Sequence, residues 1–340
     1  MGIEQLAANQ PADRFYAGGA QIARFRGETT GRTAGRHVAV PDHVPDHVPE
    51  DWVGSVTTLF GEDELGLTRL ADGRTLREHV AADPTAWLGA EHVARYGDDA
   101  GLLVKLLDAG ERLPVHAHPD RAFAAEHLGL THGKTEAWVA LEAADVHLAF
   151  TREVGADELA GWVAAQDTAA MLGAMHTLHL ERGDAVLVPA GTPHAIGAGA
   201  FVVELQEPTD LSILVEWAGF AIDGANLGHL GLGFDVALRA VDRRAWDSRD
   251  VERLRGARIG DVGDLLPAAA DFFRVERWRG PVAWDPGYAV VVVTAGTGVV
   301  SGASGVQAVE AGQTWLVPHC AGPLRLHGDV EVLRCRPPAA

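Results

Sequence analysis

His116 and His118 are separated by a single alanine in the segment GERLPVHAHPD, residues 110–120. Alternate side chains of an extended strand share a face, so both imidazoles project together. Two imidazoles one pleat apart can ligate a single ion, with bonds of ~2.0–2.1 Å if it is zinc. An H-x-H pair also occurs on solvent-facing strands, so it does not define a site by itself. A second segment, GDAVLVPAGTPHAIG at 183–197, brings His194 in after a turn marked by Pro189 and Gly191. A third, THGKTEAWVAL at 131–141, puts Glu136 at the entry of an apolar strand, two residues after Lys134. Lys134 and Lys105 are the two lysines of a chain whose other cations are arginines, which suits them to tasks that a guanidinium would not perform.

The elements that must hold these residues read as short strands. Residues 101–107 (GLLVKLL), 137–141, 146–150, 185–188 and 201–205 are apolar runs bounded by Gly, Pro and acids. Many such runs at close spacing predict a barrel or sandwich. Helical text precedes them at 73–95, with Thr75 as a cap and a second start at Asp83-Pro84, and interrupts them at 156–175. A further helical patch at 226–244 leads into a second strand-rich part, FFRVERW to VEVLRC. The expected fold class is therefore mainly β, in two barrel domains with a few helices. Residues 1–225 form the N-terminal unit, with a solvated Pro/His-rich loop at 30–50 that repeats PDHV and carries His43 and His47. Residues 226–340 form a helical connector and a degenerate, metal-free second barrel.

A Gly, five intervening residues and H-x-H, and then a Gly, five intervening residues and P-x-G-x-x-H, is the two-part pattern of the cupin (jelly-roll-like) β-barrel, the form expected of both domains. Gly110 with His116 and His118, and Gly183 with Pro189, Gly191 and His194, supply it here. The usual cupin Glu shortly after the H-x-H is missing, and the local acid is Asp120. The succession HPD, GKTEAWVALE, VPAGTPHAIGAG and VVELQEPTDLS resembles the class I mannose-6-phosphate isomerases in their shorter bacterial form. EDWVGSVTTLF at 50–60 and LLVKLLD at 102–108 extend the resemblance, which covers roughly residues 15–336.

That resemblance implies a set of roles. His116, His118, Glu136 and His194 would be the metal ligands, with His116 standing where the family commonly has Gln. Zinc is the family's usual ion. Three imidazoles and a carboxylate also resemble the ligand set of cupin oxygenases and suit manganese, cobalt, nickel or iron. Lys134 and Asp210 would act in catalysis, with Lys134 and Lys105 on the substrate. Lys105 lies inside an apolar run, where an unpaired ammonium is costly, so a core carboxylate is expected beside it. The implied reaction interconverts mannose 6-phosphate and fructose 6-phosphate by proton transfer through a cis-enediol. The chain departs from the family at Leu214, where the family has an arginine. Either another cation, such as Lys105, Arg121 or Arg239, takes over, or the substrate is a different or unphosphorylated sugar. An oxygenase and a non-catalytic sugar-binding homologue are the remaining alternatives.

Composition bounds the partners. The 340 residues carry a net charge of −19, and 47% are apolar. No Lys/Arg cluster is sufficient to bind nucleic acid, and no apolar run approaches a membrane span. The opening MGIEQLAANQPADRF lacks the pattern of a secretory signal, and the two cysteines, Cys320 and Cys335, cannot form a disulfide framework. A cytoplasmic protein acting on a small sugar phosphate, as monomer or homodimer, is the expectation. His127, His132, His147, His176, His179, His229 and His327 are expected to be structural or solvated, and Trp52, Trp138, Trp217 and Trp315 to pack.

Overall fold

The computed structural model describes residues 1–12, 14–27, 47–256, 258 and 260–340. Most of the expected loop at 30–50, with His43, lies outside the described residues. The strands in chain order are β1 (Glu4–Gln5), β2 (Glu50–Val53), β3 (Leu103–Asp108), β4 (His116–Ala117), β5 (Glu136–Ala140) and β6 (Ala144–Phe150). They continue as β7 (Met175–Leu180), β8 (Ala185–Val188), β9 (His194–Ile196), β10 (Phe201–Gln206), β11 (Ile213–Leu214) and β12 (Gly263–Asp264). The last are β13 (Arg274–Arg279), β14 (Val282–Trp284), β15 (Ala289–Gly302), β16 (Gly305–Glu310), β17 (Thr314–Val317) and β18 (Leu324–Arg336). The protein is mainly β, as the run of short apolar segments predicts.

Two antiparallel five-stranded sheets build the N-terminal part, ordered β2-β3-β10-β5-β8 and β11-β4-β9-β6-β7. Their facing sides share one apolar core, with Leu107, Trp138, Ala140 and Val202 from the first sheet against Val146, Leu148 and Ile196 from the second. The outer side of the first sheet carries Val104, Leu106, Val139 and Val203 into a larger core that also takes Val290, Val292 and Leu333 of the C-terminal sheet. Period-2 alternation thus assigns each strand residue to one layer or the other. The outer side of the second sheet is covered by the helices Ala156–Ala165 and Thr168–Gly173 through Leu159, Val163 and Met171.

An eight-stranded antiparallel sheet forms the C-terminal part, with Val291, Val293, Val332 and Trp315 in its own core. β1, from the start of the chain, pairs with β17 at its edge. LRLHG and VEVLRC lie on one continuous strand, β18. Gly296 on β15 has φ +74°, and a Cβ there would lie 2.0 Å from the Asp329 carbonyl oxygen, so the two long strands can cross only at a glycine. The helical start at Thr75 is confirmed, with a capping box between Thr75 and Glu78. The helical patch expected over 226–244 is broken. Gly228, Gly231 and Gly233 limit it to the short helices Gly224–Leu227 and Phe234–Ala237 and a 3₁₀ turn.

Candidate metal centre

The inner face of the first sheet changes character along its strands. At one end Leu107, Val202 and Ala140 line up across β3, β10 and β5. Two residues further along, the row reads Trp52–Lys105–Glu204–Trp138 across β2, β3, β10 and β5. The next row pairs Gln206 with Glu136. Strand register therefore gathers ionic groups at one end of an otherwise apolar chamber.

The second sheet supplies the imidazoles. His116 on β4 pairs with His194 on β9, and His194 pairs with Leu148 of the inner core on β6, so both rings face inward. His118 follows in the same chain segment, and the ring centroids of the three histidines lie 4.1–4.9 Å apart. The segment carrying Glu136 is docked by the bond from the Lys134 amide to the Pro119 carbonyl, at 3.0 Å. A Cβ on Gly133 would lie 2.6 Å from that same carbonyl oxygen, so only glycine allows this approach.

Each imidazole is oriented through Nδ1. His116 donates to the Pro114 carbonyl at 2.8 Å, His118 to the Leu211 carbonyl at 2.6 Å, and His194 to the Thr192 carbonyl at 2.8 Å. A carbonyl oxygen can only accept, so Nδ1 bears a hydrogen, and in a neutral ring Nε2 then keeps its lone pair. His118 Nε2 lies 3.0 Å from Glu136 Oε2, and His194 Nε2 lies 3.3 Å from Glu136 Oε1. In the neutral ring of His118 a lone pair then faces the carboxylate with no proton between them. Burial pushes His118 down to about 3 and His116 well below its usual range, so both stay neutral. Glu136 is also buried, yet the charge on Lys134 holds its carboxyl well below the usual value. His118 Nε2, His194 Nε2 and Glu136 Oε2 are buried without a hydrogen-bond partner. Among the described residues, His116, His118 and His194 are the group whose ligand atoms, all within 4.8 Å of one another, could hold a metal ion. A cation at this position satisfies all the orphaned atoms together.

A second ionic layer adjoins the first. Lys134 Nζ is 3.2 Å from Glu136 Oε2. Lys105 Nζ lies 3.5 Å from Glu50, 3.5 Å from Glu204 and 3.8 Å from Asp210, and sits 4.6 Å from the Trp52 ring centre. The carboxylate partner expected for Lys105 is therefore present in triplicate. Arg14 enters from the N-terminal segment. Its Nε and Nη2 both lie 3.0 Å from Glu50 Oε1, and its Nη1 lies 3.4 Å from Asp210 Oδ2. Tyr16 and Trp52 donate to Glu50, and Trp138 donates to Glu204 at 3.3 Å. Burial opposes ionisation of Glu50, but Arg14 and Lys105 hold it at about 2. Asp210 is likewise held low against burial by the same two cations, whereas burial and the charge on Glu136 raise Glu204.

The structure thus brings together all seven residues singled out in the sequence: Lys105, His116, His118, Lys134, Glu136, His194 and Asp210. Arg121 and Arg239 stand outside the cluster. Arg121 is spent on Glu207, and Arg239 bonds the Asp235 carbonyl on the surface. Leu214 pairs with His116 across β11 and β4, so its side chain faces inward beside the histidines and is 2% exposed. Sequence reasoning missed Arg14, Glu50 and Glu204. The alternation that buries Lys105 also turns Glu204 inward, and this was the readable signal for Glu204. Nothing local marks Arg14. Trp52 and Trp138 pack, as expected, and also serve as buried hydrogen-bond donors to the carboxylates.

A cavity of about 500 Å³ borders the cluster at Asp210 and Leu211. Thr57, Phe60, Arg77 and His132 form other parts of its wall. His132 is ion-paired to Asp99 and lies 3.6 Å from Glu207. Despite partial burial, these bonds raise it to about 9, so it is charged at neutral pH.

No family model matches the chain. It is 28% identical over 260 residues to a mannose-6-phosphate isomerase from Streptococcus mutans, covering 74% of this chain and 79% of the relative. It is 26% identical over 251 residues to one from Bacillus subtilis, covering 70% and 75%. The crystal structure of mannose 6-phosphate isomerase from Bacillus subtilis superposes with a TM-score of 0.72 at 20% identity, covering 99% of this chain and all (100%) of that one. A point mutant of phosphomannose isomerase from Salmonella typhimurium gives 0.73 at 15%, with full coverage (100%) of both chains. The resemblance carried by HPD, GKTE and PAGTPH therefore extends to most of the chain, which is a relative of the mannose-6-phosphate isomerases and shares their fold.

Proposed function

We propose that this chain is a metal-dependent aldose–ketose isomerase that interconverts mannose 6-phosphate and fructose 6-phosphate in the cytoplasm. The observation that carries the reading is the convergence of three buried imidazoles whose ligand atoms lie within 4.8 Å of one another, two of them against Glu136, with Lys134 alongside. His116, His118, Glu136 and His194 are the ligands, and zinc is the ion assigned first; manganese, cobalt, nickel and iron accept the same donors. The bound ion would polarise the sugar carbonyl and offset charge on the enediolate.

The remaining roles fall to the chain's own groups. Lys134 is charged, because its neighbouring carboxylates outweigh burial, and it stabilises negative charge on the sugar oxygens. Asp210 is an ionised carboxylate that reaches the cavity wall, and it moves the proton between C2 and C1. Lys105 holds Glu50, Glu204 and Asp210 in place. The surrounding walls exclude water from the intermediate, since the histidines, Glu136 and Lys134 are each at most 7% exposed.

The test is a coupled assay of fructose 6-phosphate formed from mannose 6-phosphate. Metal-stripped protein is reconstituted with each ion, with His194→Ala as control. Metal-dependent turnover abolished by the substitution is the expected result. A metal-loaded protein that turns over no hexose 6-phosphate refutes the reading. A second reading, an isomerase of unphosphorylated sugar, draws on the apolar Leu214 beside His116. It predicts conversion of free mannose at equal efficiency. Oxygen consumption by the iron form would instead identify an oxygenase.

A further inference from the structure

The phosphate of a sugar phosphate needs a cation whose charge is not already met. The cations of the inner cluster do not offer one. Lys105 faces three carboxylates, Arg14 two, and Lys134 lies on Glu136. The cavity wall is different. Arg77 is anchored by its Nε, which donates to the Val56 carbonyl at 2.9 Å. Among the described residues its terminal nitrogens meet no carboxylate. That anchor sets the guanidinium beside Thr57, whose Oγ1 is buried without a hydrogen-bond partner while the residue is 6% exposed and lines the same cavity. From Thr57 the wall runs to Phe60, whose amide donates to Asp210 Oδ2 at 3.4 Å, and so reaches the ionic cluster.

We infer that the cavity of about 500 Å³ is the phosphate-ester subsite, with Arg77 as the binding cation and the Thr57 hydroxyl as a second donor. This rests on the sugar-phosphate reading above and assigns the anionic end of that substrate. The volume lies within the ~300–1,000 Å³ of small-ligand pockets. Two other acids on the wall do not oppose it equally. Asp99 is matched by the charged His132, whereas Asp98 is exposed and faces no cation among the described residues. Asp98 is a repulsive neighbour whose neutralisation should tighten binding.

Steady-state kinetics of the zinc-loaded full chain test this with mannose 6-phosphate, alongside competition by inorganic phosphate. Losing a charge-assisted hydrogen bond of ~1.5–3 kcal/mol corresponds to roughly 10- to 100-fold in affinity. Arg77→Ala should therefore raise KM and the inhibition constant for phosphate by about that factor, with kcat changed less than about threefold. Arg77→Lys should recover part of the loss, Thr57→Val should raise KM severalfold, and Asp98→Asn should lower it. Arg239→Ala, an exposed arginine elsewhere, is the control and should change nothing. If wild type turns over and Arg77→Ala leaves both constants unchanged, the subsite is refuted while the isomerase stands. If wild type turns over no hexose 6-phosphate, calorimetric titration with inorganic phosphate decides. Binding weakened tenfold or more by Arg77→Ala supports the subsite, and binding that is absent or unchanged overturns it.

Discussion

Arg14 holds two buried carboxylates, so its removal should be felt through the whole N-terminal part. Its side chain is 10% exposed, and those of Glu50 and Asp210 are 3% and 10% exposed. Arg14→Ala leaves both acids with Lys105 as the remaining ion-pair partner, at 3.5 and 3.8 Å. Removing one partner of a buried ion pair costs about 3–5 kcal/mol, and the remaining lysine places this case near the lower end. With about 2.1 cal/mol/K per residue of unfolding entropy over the 340 residues, ~3 kcal/mol lowers the melting temperature by about 4 °C. The loss should depend on pH with a definite sign. Glu50 is held at about 2, below its unfolded value, so Arg14 stabilises fully above the ordinary carboxylate range. That stabilisation fades as pH falls from the ordinary carboxylate range, about 4.5, through about 2, so much of it is gone by pH 3. Thermal melts of wild type and variant, followed by circular dichroism at pH 7 and pH 3, supply the assay. A gap below about 1 °C at pH 7, or one equally large at pH 3, would refute the reasoning.

Three further outcomes follow from the same geometry. His194→Ala should lose most of the thermal stabilisation that zinc gives wild type, which is about 4 kcal/mol at a thousandfold excess over Kd. A melt with undiminished zinc response would remove His194 from the ligand set. Leu214→Arg should lower the melting temperature without raising turnover, because position 214 is buried and packed 3.1 Å from where a Cβ on Gly228 would lie. A gain in kcat/KM would show instead that an inward arginine is tolerated and useful there. His132, raised to about 9, adds stability that is complete below about 6.5 and is lost as pH rises through 9. Urea unfolding across that window should show the decline in wild type and not in His132→Gln.

Much of the candidate site was legible because its residues come from turns and strand entries with local signatures. The alternation in HAH fixes one face, and Pro189 and Gly191 terminate β8 and return the chain at His194. Gly133 lets GKTE dock against Pro119, and this docking brings Glu136 from another hairpin beside the histidines. The expected helix over 226–244 failed for an equally local reason, since its glycines outweigh the apolar spacing. Arg14 was invisible. Its neighbours Pro11, Asp13 and Phe15 give no pattern, and its partners lie 36 and 196 residues away.

The sequence by itself determined which residue types could take a metal, which runs would be strands and which side of each strand would be apolar. These depend on side-chain chemistry and the two-residue period, both of which are local. Only the tertiary structure decided the charge balance. Register across β2, β3, β10 and β5 sets Lys105 against three acids, and the N-terminal segment then adds Arg14. Whether a cation is free to bind substrate depends on which carboxylates the fold has placed within a few ångströms of it. Coulomb energies in a buried site follow distance through space, and separation along the chain does not record it.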